Sequence, residues 1–111
     1  MIKTLTMAAV FAMAAQAAAA WEAVSGDDIS PLLIGAQMAY ETGETQAWNE
    51  RRTAYNDGTT HQGRWRVRRG RYCSQFGNND WACYDVATTG NRIRFTSDEG
   101  REWIGTLSRA Q

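Results

Sequence analysis

The chain has 111 residues, with twelve Lys and Arg against twelve Asp and Glu, two Cys, one His and one Pro. That length allows one domain around one small core. A net charge of zero excludes a generally cationic nucleic-acid binder and an acidic solvating tail.

Residues 1–20 read as a secretory signal peptide. Lys3 precedes an almost wholly apolar run from Leu5 to Ala15, and Ala18-Ala19-Ala20 supplies the small residues of a cleavage site. A bilayer span needs about twenty apolar residues, and Gln16 interrupts this run. Cleavage after Ala20 would leave residues 21–111 as a single exported β-domain without a transmembrane segment. Its eleven Arg against twelve Asp and Glu give a charge of −1, and it contains no Lys. All five Trp remain in it, so large aromatics dominate the material available for a core.

A short helix is expected after Trp21. Ser25 can cap it, with Asp27 and Asp28 at its positive end. Alternatively Ser30 caps it with Pro31 as first residue. Gly35 is the stop in either case, and Ile29, Leu32 and Leu33 form its apolar face.

From Ala36 onward, turn residues punctuate short strands predicted at 36–41, 46–55, 59–68, 71–76, 81–87, 92–96 and 102–108. Asp57-Gly58 is the strongest hairpin signal. Connections this short exclude parallel crossovers. The fold class is mainly β: an antiparallel meander forming a small barrel or curled sheet, with a short N-terminal helix. Alternation sends Trp65 and Val67 inward against Arg64, Arg66 and Arg68, and Ile93 and Phe95 inward against Arg92 and Arg94. The core aromatics are expected to be Trp48, Trp65, Trp81, Phe95 and Trp103. They could instead line a ligand pocket with a shallow mouth near Trp48, Tyr55 and Trp103, although small barrels are usually filled by their own side chains.

Both cysteines lie in the exported part, where a disulfide persists. A turn centred on Asn78 sets Cys73 directly opposite Cys83 in an antiparallel pair, close to disulfide separation. Two Cys and one distant His are too few for a closed zinc site, and the spacing is not that of a Cys-x-x-Cys redox pair.

The sharpest chemical feature is the segment Gly63-Arg64-Trp65-Arg66-Val67-Arg68-Arg69-Gly70-Arg71. Arg64, Arg66, Arg68, Arg69 and Arg71 form a candidate anion-binding face, since guanidinium forks grip phosphate, sulfate and carboxylate bidentately. The competing expectation is a solvated face, partly neutralised by Glu41, Glu50 or Asp85, with no aromatic beside it because Trp65 turns inward. His61 stands outside any recognisable nucleophile context. Asp27-Asp28 and Asp98-Glu99 fit a helix start and a turn. No catalytic set, metal site, nucleotide loop or cofactor is expected.

At Asp57-Gly58-Thr59, Gly63-Arg64-Trp65-Arg66-Val67, Tyr72-Cys73, Cys83-Tyr84 and the run Ile93-Arg94-Phe95-Thr96-Ser97-Asp98-Glu99-Gly100, the chain resembles a family of small secreted bacterial proteins of unknown function. The resemblance covers residues 25–108 and implies an exported single domain with an Asp-Gly hairpin, a Gly-x-Trp strand and a Cys pair. Size and disulfide also invite comparison with periplasmic lysozyme inhibitors, but their inhibitory loop is not present and an Arg-rich face would repel a cationic lysozyme.

The expected function is therefore a non-enzymatic periplasmic or secreted binding role. It would act on an anionic envelope component or a periplasmic protein through the Arg face, and not on nucleic acid. The alternative is an inhibitor or small-ligand carrier of lipocalin-like or lysozyme-inhibitor-like type.

Overall fold

A computed structural model describes residues 20–109. The expected signal peptide, apart from Ala20, lies outside the described residues.

The chain opens with β1 (Glu22–Ala23) and α1 (Gly26–Leu33). Eight strands follow: β2 (Ala36–Tyr40), β3 (Thr45–Trp48), β4 (Arg52–Asn56), β5 (Thr60–Arg68), β6 (Arg71–Phe76), β7 (Ala82–Thr89), β8 (Arg92–Thr96) and β9 (Glu102–Arg109). Each pairs antiparallel with the next, and β9 returns to β2 in the register Ala36↔Arg109 to Tyr40↔Gly105. The result is a closed up-and-down barrel, with β1 added outside β7.

The predicted strand 46–55 is in fact two. Asn49 Oδ1 accepts the backbone N–H groups of Arg51 at 3.1 Å and Arg52 at 2.7 Å. This side-chain turn reverses the chain where no Gly or Pro marks the spot. The break has a topological effect. In an alternating meander the first and last of seven strands run the same way, whereas those of eight run oppositely and can close antiparallel.

Of the two helix starts, the structure takes Ser25 as N-cap, with Pro31 inside α1. The Ser25 hydroxyl donates to the Asp28 carboxylate at 3.0 Å and does not accept from a backbone N–H. At the far end, the Arg109 guanidinium donates to the carbonyls of Pro31, Leu32 and Ile34 at 2.7–2.9 Å. It thereby satisfies helix-end carbonyls that lack internal partners and places a cation at the negative pole. Held this way, α1 stoppers one end of the barrel and inserts Ile29 and Leu33, both fully buried.

Curling eight strands this tightly requires backbone to approach backbone. A Cβ on Gly105 would meet the Ala39 carbonyl oxygen at 2.5 Å and Met38 at 2.6 Å, and one on Gly63 would stand 2.7 Å from the Phe76 ring. Gly105→Ala should therefore cost about 1–3 kcal/mol through overpacking, seen as a lower urea midpoint at unchanged m-value.

The cysteines sit opposite each other in the β6–β7 ladder, Cys73↔Cys83, and are bonded. The double replacement Cys73→Ser with Cys83→Ser reopens a short loop and should lower stability by about 3 kcal/mol on the chain-entropy account, measured in the same denaturation series.

Candidate functional site

The outer face of β5 carries Arg64, Arg66 and Arg68, all exposed, because Trp65 and Val67 take the inward positions. Trp65 is buried and its indole N–H donates to the Asn49 carbonyl at 2.8 Å. Trp81 is not a core residue, contrary to expectation. It lies just before β7, outside the barrel wall, where the Arg66 guanidinium stands 4.0 Å and that of Arg64 5.6 Å from its ring centroid. The Arg face thus has an aromatic after all, supplied by the β6–β7 connection. Arg64 also donates to the Gln75 side-chain carbonyl.

The expected neutralisation is confined to one member. Arg71 is held by Asp85 at 2.9 Å and Asp98 at 2.8 Å, so it leaves the candidate anion set. Glu41 pairs instead with Arg92. Among the described residues, no carboxylate lies within ion-pair distance of Arg64, Arg66, Arg68 or Arg69. Arg52 adds to the charge, since it stands directly opposite Arg64 in the β4–β5 ladder. Like charges directly opposed destabilise a sheet. Arg69, in the turn between β5 and β6, has φ +53°, the one positive φ of a non-glycine among the described residues.

Inside the barrel, the half nearest α1 is filled by Ile29, Leu33, Met38, Trp65, Val86 and Ile93. The other half is hollow. A cavity of about 200 Å³ is lined by Tyr40, Tyr55, Tyr72, Phe76, Tyr84, Phe95 and Trp103 with Gln46 and Ser74. Of the predicted core aromatics, Trp48 and Phe95 are buried, while Trp103 is partly exposed at this mouth. Trp48 lies beneath the cavity.

A polar network floors the hollow. Trp48 Nε1 donates to the Tyr72 hydroxyl at 3.0 Å, and Gln46 Nε2 donates to Thr53 Oγ1 at 2.8 Å and more weakly to Tyr72 at 3.4 Å. Tyr40 donates to Gln46 Oε1, and the Thr53 hydroxyl donates to the Ala47 carbonyl at 2.9 Å. The buried donors and acceptors thus satisfy one another. Sequence reading missed Gln46 and Thr53, which are two polar residues at inward positions; the alternation that places Trp48 inward places Gln46 there too.

At the mouth, His61 is exposed and contacts Asp57 at 3.1 Å, 6.3 Å from the Tyr55 ring. The Thr59 backbone N–H and then His61 hold the Asp57 carboxyl below its usual range.

Burial pushes the Tyr72 hydroxyl up to about 12, the Trp48, Ser74 and Gln46 hydrogen bonds only partly opposing it. Burial, chiefly, raises Tyr40 as well. A raised folded-state pKa means that the folded protein keeps the proton more tightly than the unfolded chain. Stability from the Tyr72 phenol is full below pH 10, the unfolded value, and is lost as pH rises through about 12. Tyrosinate absorbance should accordingly rise together with loss of the near-ultraviolet circular dichroism in that window. Tyr72→Phe, which strands the Trp48 and Gln46 donors, should cost about 1–3 kcal/mol at neutral pH.

Among the described residues no helix is long and apolar enough to cross a membrane. Comparison with models of protein families, with curated proteins and with solved structures finds no match.

Proposed function

We propose that the protein is a non-enzymatic, exported binding domain whose β5 face grips an acidic polysaccharide of the cell envelope. The observation that carries this reading is the uncompensated guanidinium row beside Trp81. Stacking on the indole orients the Arg66 guanidinium while its N–H edges stay free for an anion. The opposed Arg52 and Arg64 are a local cost that a purely structural wall would not require.

A polymer fits this surface better than a bilayer. The row is extended along a strand, and the one exposed large hydrophobic among the described residues, Ile34, sits at the end of α1 and not on the β5 face. Peripheral membrane binding would draw on apolar anchors as well as charge. Export itself rests on the reading of residues 1–20, and the disulfide is compatible with it. The resemblance to small secreted bacterial proteins points the same way.

The test is retention on immobilised heparin, a sulfated polysaccharide used as probe, with elution by NaCl. The chain should be retained although its acids outnumber its arginines, and salt should release it because exposed charges are screened. Replacing Arg64, Arg66 and Arg68 by Ser should abolish retention, and Trp81→Ala should move elution to lower salt. Unchanged elution of the triple variant overturns the reading. So does binding to phosphatidylglycerol vesicles with no retention on the polysaccharide.

A further inference from the structure

The hollow end of the barrel is a second site, independent of the β5 face, and we infer that it receives a small organic cation of the quaternary-ammonium class.

Its walls are aromatic. Tyr84 meets Trp103 at 84°, Tyr40 meets Tyr55 at 69° and Tyr55 meets Phe76 at 65°, with centroids 5.3–6.4 Å apart. These edge-to-face pairs join the rings into a wall around the hollow. The volume of about 200 Å³ is the room of about six or seven waters at ~30 Å³ each, which suits a ligand of similarly few heavy atoms. Aromatic walls attract a cation through the negative faces of the rings, most strongly where water is excluded.

An anion finds no cationic donor there, only the neutral hydroxyls of tyrosines and Ser74. The side-chain N–H groups nearest the hollow belong to Trp48 and Gln46. The Trp48 N–H and one from Gln46 are committed to Tyr72 and Thr53, and the other Gln46 N–H points at Tyr72. No Lys, Arg or His lines the cavity.

The rim selects the same sign. The connections at the open end, 41–44, 57–59, 77–81 and 97–101, carry Glu41, Glu44, Asp57, Asp80, Asp98 and Glu99 against Arg101 as the one base. Arg92 and Arg71 neutralise Glu41 and Asp98 from outside, and Arg101 lies on the Trp103 ring, 4.9 Å from its centroid. Asp57 contacts His61 at 3.1 Å, and Glu44, Asp80 and Glu99 are left to set the field at the entrance. A neutral apolar guest would gain from the walls and nothing from these carboxylates. A cation gains from both.

The experiment is calorimetric titration of the purified chain with choline, and in parallel with 3,3-dimethylbutan-1-ol, in which carbon replaces the charged nitrogen at nearly the same shape. Choline should bind saturably, at least tenfold tighter than the alcohol, and perturb tryptophan fluorescence. Trp103→Leu should weaken choline at least tenfold. In case that change disturbs the barrel, the surface double variant Glu44→Gln with Glu99→Gln leaves the walls intact; it should weaken choline several-fold and leave the alcohol unaffected. Equal binding of choline and the alcohol, no binding of choline, or choline affinity unmoved by the Glu variants overturns the inference. None of these outcomes touches retention on heparin, so the two sites stand or fall separately.

Discussion

Antiparallel closure between β2 and β9 is the constraint on which the rest of the molecule depends. It fixes the number of strands as even, and so requires the reversal at Asn49. It obliges Gly105 to lie bare against Ala39, because a tightly curled wall leaves no room there for a Cβ. It also decides which side chains can share the interior. Inward positions from all eight strands converge on an axis, so rings far apart in sequence, such as Tyr40 and Tyr84, become walls of one space. An open sheet of the same strands would have exposed that face to water and left two edges to protect.

Much of this was legible locally. The alternation of Trp65 and Val67 with three arginines, the turn dipeptides and the opposition of Cys73 to Cys83 all depend on residues within a dozen positions of each other, where period and register are strongly determined. What escaped depends on particular side chains acting outside such patterns. Asn49 breaks a strand with its own side-chain oxygen, in a stretch whose apolar residues continue on both sides. Hydrophobicity argues for an inward Trp81, but it precedes β7, where inward and outward no longer alternate, and the nearby guanidinium groups offer its ring a favourable partner. Arg109 reaches carbonyls more than seventy residues earlier, a contact that no local rule can announce.

The Arg row shows the same division. Sequence alone located the arginines but could not sort them. The sorting is done by neighbours across strands: Arg71 is held by Asp85 of β7 and by Asp98 from the β8–β9 connection, whereas Arg64 faces Arg52 and Gln75. One guanidinium is spent internally, and the others stay available, although all belong to one short segment. Charge is further segregated between the wall and the open rim, so a chain that sums to near zero presents two surfaces of opposite sign.

The stopper formed by α1 gives the molecule a direction. With Ile29 and Leu33 sealing one end and Arg109 fastening the helix there, the barrel is a cup and not a conduit. Whatever enters must leave by the same opening, and its departure meets the same carboxylates as its arrival. The β5 wall stands to the side of that opening. A protein lying along a polymer by this wall would keep its rim uncovered, so it could be tethered in place while its interior continued to exchange with the surrounding solution.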